Sequence, residues 1–219
     1  MTVNRVRFSG IFDLSRTHVT VIGTGGIGSY LCHGLAKSGV ASLTIFDDDV
    51  VDDENVGTQF YRASDIGISK VAATCQSILQ YSPDTTVYPF SKRVTFDEDF
   101  TNQIMISAVD SIKSRQDIWR AILHMYPSEM PWYIDTRMAA EELQFYCINE
   151  ERANTYDELL MELDEEDVPD LPCTEKATSY TGMIAGGVAT NMVRRIAMGM
   201  DVPMIYQYFL NKDALVVVG

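Results

Sequence analysis

Four glycines fall within six residues in Gly23-Thr24-Gly25-Gly26-Ile27-Gly28, after an apolar β-type stretch over 18–22 and before a helical pattern over 29–37. The run satisfies G-x-G-x-x-G between a strand and a helix. Glycine lets the backbone turn tightly and approach a phosphate, and the N–H groups at the start of the helix bind the anion. Asp47 ends the next strand, nineteen residues after Gly28. An acid placed there meets the ribose hydroxyls of a bound nucleotide. So far the pattern implies a nucleotide and no particular reaction. A nicotinamide-dependent dehydrogenase uses the same turn, and so does a strand–helix connection with no ligand.

The residues that follow separate these readings. Asp47-Asp48-Asp49-Val50-Val51 leads to Asn55-Val56-Gly57-Thr58-Gln59-Phe60, then to Asp65-Ile66-Gly67 and Lys70. Further on, Ser107-Ala108-Val109-Asp110-Ser111 closes another strand, and Arg115 comes five residues after Asp110. Hydride transfer has no use for this set; nucleotidyl transfer does. Adenylating a carboxylate builds negative charge on the α-phosphate and on the departing pyrophosphate. That step needs cations and a metal ligand more than a general base.

On these motifs the chain resembles the ubiquitin-activating-enzyme superfamily, in its short bacterial-type branch of ThiF, MoeB and HesA proteins. The pattern is a G-x-G-G-x-G turn, a D-x-D-x-V strand end, an N-x-x-R-Q-F segment, a D-I-G-x-x-K helix start and a later D-N or D-S strand end. The resemblance spans most of the chain, is densest over 18–115, and fails at one residue of the pattern. It implies ATP- and Mg2+-dependent adenylation of the C-terminal carboxylate of a ubiquitin-like or sulfur-carrier protein or peptide, by a homodimer. Gly23, Gly25, Gly26 and Gly28 would form the nucleotide turn, Asp47 would hold the ribose, and Asn55 and Gln59 would line the phosphate site. Lys70 would meet the phosphates and Asp110 would hold Mg2+. Asp49 would belong to the same site or only cap its turn.

The exception is Thr58, where the family carries arginine beside the γ-phosphate. Threonine supplies no charge. Three substitutes are in range of the pattern. Arg62 lies one helical turn further on, and Arg137 ends a later strand in Ile134-Asp135-Thr136-Arg137-Met138. Arg5 or Arg7 would reach a partner protomer, as the family's N-terminal arginine does. Without a substitute, the chain is an ATP- and partner-binding module with weak or no catalysis. An NAD-dependent oxidoreductase is the remaining alternative, and it leaves the 55–70 block without a task.

Pro172-Cys173-Thr174 follows an acidic segment and precedes a helix. The resemblance implies a nucleophilic cysteine near this place. Lys176 and the helix start would lower the thiol's pKa. Attack on an acyl-adenylate would then give a thioester or an acyl disulfide; the alternative is an unreactive loop or core thiol. Cys32 and Cys75 fall on apolar helix faces and Cys147 in a strand, so all three read as core. There is no C-x-x-C and hence no zinc site. His18, His33 and His124 have no ligand spacing. Met183, Met192, Met198 and Met200 read as core or as a dimer face, and Gly182, Gly186 and Gly187 as close helix contacts.

These side chains need a scaffold that brings strand ends together. Strand patterns over 18–22, 42–46, 85–90, 103–109, 132–135 and 143–148 are interleaved with helical ones over 29–37, 69–79 and 112–125. Alternation of this kind predicts an α/β fold, a doubly wound, mostly parallel Rossmann-like sheet. In the 69–79 helix the expected buried side is Val71, Ala72, Cys75, Ile78 and Leu79. Residues 149–180 read as an acidic crossover with a short helix over 157–163. A helix over 181–198 follows, then a C-terminal β-hairpin around Asn211-Lys212-Asp213.

The 219 residues suit one domain over 1–219, and their formal charge is −14, from 17 basic and 31 acidic side chains. Such a surface repels a phosphate backbone, so no nucleic-acid partner is expected and a tRNA-modifying role is disfavoured. Residues 150–170 hold ten acids and one arginine, a net −9. That segment is either a solvated face or a dock for a basic partner tail. Four cysteines without paired spacing read as reduced thiols. The N-terminus lacks a signal-type apolar stretch, and the longest uncharged, mostly apolar run, 181–193, is too short to span a bilayer. A cytoplasmic protein without membrane contact is expected.

Overall fold

The computed structural model describes residues 3–94, 102–127, 129–164 and 177–219. The elements run β1 (His18–Ile22), α1 (Gly28–Ser38), β2 (Ser42–Phe46), α2 (Asp53–Thr58), α3 (Lys70–Tyr81), β3 (Thr86–Phe90), β4 (Ile104–Ser107) and α4 (Ile112–Met125). They continue with β5 (Trp132–Ala139), β6 (Glu142–Ile148), α5 (Ala153–Met161), α6 (Ser179–Ala197), β7 (Ile205–Phe209) and β8 (Ala214–Val218).

All eight strands form one sheet in the order β3-β2-β1-β4-β5-β6-β7-β8. Neighbours from β3 to β5 are parallel, and β6, β7 and β8 add antiparallel strands. The C-terminal hairpin therefore extends the main sheet. Every residue of β4 (IMIS) is buried, as a strand covered on both faces requires. Val19, Val21, Ile45, Ile106 and Ile134 face α1, α3 and α6; Ile22, Phe46, Met105 and Tyr133 face α4 and α5. Helices on both faces make the sheet doubly wound, as expected. Pro89, which has no ladder N–H, lies in the edge strand β3.

Three local readings are corrected. α3 buries Val71, Ala73, Thr74, Ser77 and Ile78, while Leu79 is exposed and Cys75 half-buried. The buried polar pair has partners: Tyr61 Oη lies 3.4 Å from Thr74 Oγ1, and Ser77 Oγ lies 3.0 Å from His33 Nε2. β5 runs on to Ala139 and turns into β6 through Ala140 and Glu141, with Ala140 at φ 52. No glycine or asparagine marks this turn, so periodicity alone stops the strand early. α2 was not expected. Its signal is a reciprocal cap in which Asp52 accepts from the Asn55 amide and the Asn55 side chain accepts from the Asp52 amide.

α6 packs against α1 through small residues. A Cβ at Gly182 would lie 2.4 Å from the Gly26 carbonyl oxygen, and one at Gly186 would lie 2.8 Å from the Leu31 amide. Gly187 faces open space. Among the described residues, no helix is long and apolar enough to cross a membrane.

Candidate functional site

The strand order reverses between β1 and β4, and open α/β sheets bind ligands beyond the carboxyl ends of their strands at such a point. The glycine turn leaves β1 there. Gly23 has φ +90, and a Cβ on it would lie 2.6 Å from the Ala108 carbonyl oxygen at the end of β4. A Cβ on Gly28 would lie 1.9 Å from the Gly23 carbonyl oxygen. The fold itself demands these two glycines. Gly25 differs, since a Cβ there meets nothing within 4 Å. Among the described residues, the amides of Gly25, Gly26 and Ile27 donate to no protein acceptor. An open cradle of unspent amides at a helix start suits a phosphate.

Asp47 follows β2 and is fixed beside this turn. Its Oδ2 accepts from the Thr24 amide at 2.6 Å and from the Thr24 hydroxyl at 2.9 Å, and its Oδ1 accepts from the Asp49 amide at 2.9 Å. The Tyr61 hydroxyl, buried, donates to the Thr24 carbonyl at 2.7 Å and ties the turn to the segment after α2. Lys70 opens α3. Its Nζ lies 2.8 Å from Asp49 Oδ2, and its amide donates to the Asp49 carbonyl at 3.0 Å. Asp47, Asp49 and Lys70 are thus brought together with the glycine turn.

The Asn55 side-chain oxygen is used in the α2 cap, and Gln59 lies just past the helix. Gln59 Oε1 is buried without a hydrogen-bond partner. An orphaned acceptor beside an open cradle fits a ligand that carries a donor or brings water. The Thr58 hydroxyl turns back to the Glu54 carbonyl at 3.5 Å.

Asp110 stands exposed past β4 and makes no hydrogen bond among the described residues. Its turn is braced from below. The Arg115 guanidinium donates to the Val109 carbonyl, to the Thr136 carbonyl at 2.9 Å and to the Asp135 carboxylate. Asp135, fully buried, also accepts from Arg137 Nε at 2.7 Å and from the Tyr156 hydroxyl at 2.9 Å. Burial pushes the Asp135 carboxyl up, but Arg115 and then Arg137 overcome it and hold it below the usual carboxylate range.

The arginine substitutes for Thr58 are placed as follows. Arg137 is locked to Asp135 and stacks over the Tyr146 ring at 4.7 Å. Arg62 donates to Gln80 at 2.9 Å, near the far end of α3. Arg5 donates to Asp84, the Ser82 hydroxyl and the Ala36 and Lys37 carbonyls, where it caps α1 away from the glycine turn. Arg7 is exposed. The motif reading missed Arg93, which follows β3 and pairs through Nε with Asp48 Oδ2 at 2.8 Å. A basic pair, Lys92-Arg93, directly after a parallel strand was the available signal.

Oxygens of Asp47, Asp48 and Asp49 lie within 4.8 Å of one another. Each of these acids already has a protein partner, Thr24, Arg93 and Lys70 respectively. Among the described residues, Asp110 keeps a carboxylate free of such contacts, which suits a hard divalent ion. Cys32 and Cys147 are buried, and burial pushes both thiols up to about 12, which makes them inert core residues. Cys173 and Lys176 lie outside the described residues.

The chain is 34% identical over 129 residues to the Nedd8-activating enzyme E1 catalytic subunit of Drosophila melanogaster, which covers 57% of this chain and 29% of the relative. It spans under a third of that curated relative. Among solved structures it is similar to PaaA, with TM-score 0.71 and 20% identity, covering 93% of this chain and 64% of that one. It is also similar to E. coli MccB solved with ATP, with TM-score 0.68 and 14% identity over the same shares, 93% and 64%. The model of the ThiF family matches residues 1–216, so the chain belongs to the ThiF family, within the E1-like superfamily.

Proposed function

We propose that the chain binds ATP with Mg2+ and adenylates the C-terminal carboxylate of a ubiquitin-like or sulfur-carrier protein or a peptide. One observation carries this reading: unspent turn amides, Asp47, Lys70 and Asp110 converge where the strand order reverses. A dehydrogenase would leave Lys70 and Asp110 there without a task. The net charge of −14 favours a protein or peptide over a nucleic acid as the second substrate.

In this reading, the amides of residues 25–27 hold phosphate oxygens, and Asp47, oriented in advance by Thr24, accepts from the ribose hydroxyls. Lys70 moves from Asp49 to the phosphates and stabilises charge as pyrophosphate leaves. Asp110 would hold Mg2+, which neutralises phosphate charge when bound. The incoming carboxylate oxygen bonds to the α-phosphorus as the bond to the bridging oxygen breaks, so no general base is needed. Where the reaction goes on to a thioester, the Cys173 thiolate would attack the acyl-adenylate carbonyl and AMP would leave.

Carrier-dependent ATP–pyrophosphate exchange tests the proposal. Exchange with a carrier ending in Gly-Gly supports it; no exchange with any carrier, while ATP binds normally, sinks it. The Thr58 hydroxyl, turned back onto its own helix, favours a second reading. In that reading the fold binds ATP and a partner chain without chemistry, and Lys70→Ala would leave partner binding intact.

A further inference from the structure

In the nucleotide reading Thr58 leaves the phosphate end of the site one cation short, and the described arginines differ in where their partners hold them. Arg62, Arg137 and Arg5 are each committed to acceptors elsewhere. Arg115 is buried beneath the Asp110 turn. Arg93 is differently placed. It leaves the end of β3 on the same rim as the glycine turn, Asp47 and Asp110, and its side chain is 76% exposed. Its hydrogen bond among the described residues runs from Nε to Asp48, next to the ribose-site acid. The bond to Asp48 and that acid's charge, with Asp49 and Asp110 beyond it, hold the guanidinium above its ordinary pKa. One arginine therefore lies in the field of acids from both sides of the cleft.

We propose that Arg93 is a phosphate-binding residue that exchanges Asp48 for the outer phosphates of a bound nucleoside triphosphate, supplying the charge that Thr58 lacks. The inference rests on the nucleotide reading above. Asp48 is the holding partner: it keeps the long side chain over the rim, and a more negative ligand outcompetes it. Guanidinium suits the exchange because its fork still presents Nη donors while Nε is engaged.

The test is calorimetric binding of ATP and of AMP, each with Mg2+, to the wild-type chain, Arg93→Ala, Arg93→Lys and Asp48→Asn. Arg93→Ala is expected to weaken ATP by about tenfold while AMP, which lacks the outer phosphates, keeps its affinity. Arg93→Lys recovers part of the loss, and Asp48→Asn tightens ATP by releasing the guanidinium. An Arg93→Ala chain that binds ATP like the wild type overturns the proposal. So does one that loses ATP and AMP equally, since the residue is then only a brace. A wild-type chain that binds neither nucleotide overturns the nucleotide reading itself, and the role of Arg93 falls with it.

Discussion

Lys70 Nζ lies 2.8 Å from Asp49 Oδ2, yet the two side chains sit in different surroundings: the lysine is 8% exposed and the aspartate 61%. The ammonium is held at the edge of the cleft by a partner that water already solvates. The pair is screened by water at its acid, so the ammonium is easily traded from Asp49 to a phosphate. The position therefore serves ligand binding more than folding. Lys70→Ala should leave the melting temperature within a few degrees of wild type. In carrier-dependent ATP–pyrophosphate exchange it should lower the rate by roughly a hundredfold or more. A loss of exchange matched by a collapse of the melt would assign Lys70 to the fold instead.

The glycine turn makes a sharper separation, because its members have different reasons to be glycine. Gly28→Ala drives a methyl to 1.9 Å from the Gly23 carbonyl, so the turn must open and the chain should misfold or lose several kcal/mol. Gly25→Ala meets nothing in the protein and should fold normally. Its methyl would instead occupy the cradle, and nucleotide affinity should fall about tenfold or more in a titration with a fluorescent ATP analogue. Equal nucleotide binding by Gly25→Ala and wild type would place the phosphates elsewhere.

Most of this site was legible because its residues sit at strand ends, and the strands are continuous apolar runs. Asp47, Lys70 and Asp110 needed only the strand ends and the start of α3 to be found in order. What stayed hidden depends on contacts between distant segments. Arg93 acquires meaning from Asp48, just past the end of the neighbouring strand β2, and from Asp110, beyond two further strand ends. The buried face of α3 was misread because Thr74 and Ser77 look polar in sequence, and only Tyr61 and His33 make them cheap to bury. Arg137 looked free at a strand end, whereas Asp135, two residues earlier on the same face, claims it.

Two buried groups set the response to acid in separate windows. His33 Nδ1 lies 2.7 Å from the Ser29 carbonyl and Nε2 lies 3.0 Å from the Ser77 hydroxyl, so the neutral ring donates at Nδ1 and accepts at Nε2. Burial lowers its pKa to about 4, below the unfolded value of 6.5. Its contribution is complete above pH 6.5 and fades as pH falls towards 4. Asp135 is likewise lowered by Arg115 and Arg137 against the cost of burial, so its contribution is lost below about pH 4, through the folded pKa. Urea midpoints from neutral to acid pH should show both slopes. His33→Gln should flatten the upper window. Asp135→Asn should cost about 3–5 kcal/mol at neutral pH, by stranding the buried Arg115 and the half-buried Arg137, and should flatten the lower window. Unchanged slopes in both variants would remove these groups from the acid response.

The seam between α6 and α1 carries the last prediction, because it links the C-terminal third of the fold to the glycine turn. Gly182 lies against the Gly26 carbonyl, where an added Cβ would approach to 2.4 Å, and beside the Tyr30 ring. Gly187, just over a turn further along α6, faces open space. Intrinsic propensity treats the two alike, since alanine is favoured over glycine in a helix by about 1 kcal/mol. Packing reverses the sign at only one of them. Gly187→Ala should therefore raise the melting temperature, while Gly182→Ala should lower it and push the turn out of place. Nucleotide binding should weaken in Gly182→Ala and hold in Gly187→Ala, measured on protein kept well below either midpoint. If Gly182→Ala melts lower but binds nucleotide at full strength, α6 supports the fold without setting the turn, and the cradle is rigid on its own.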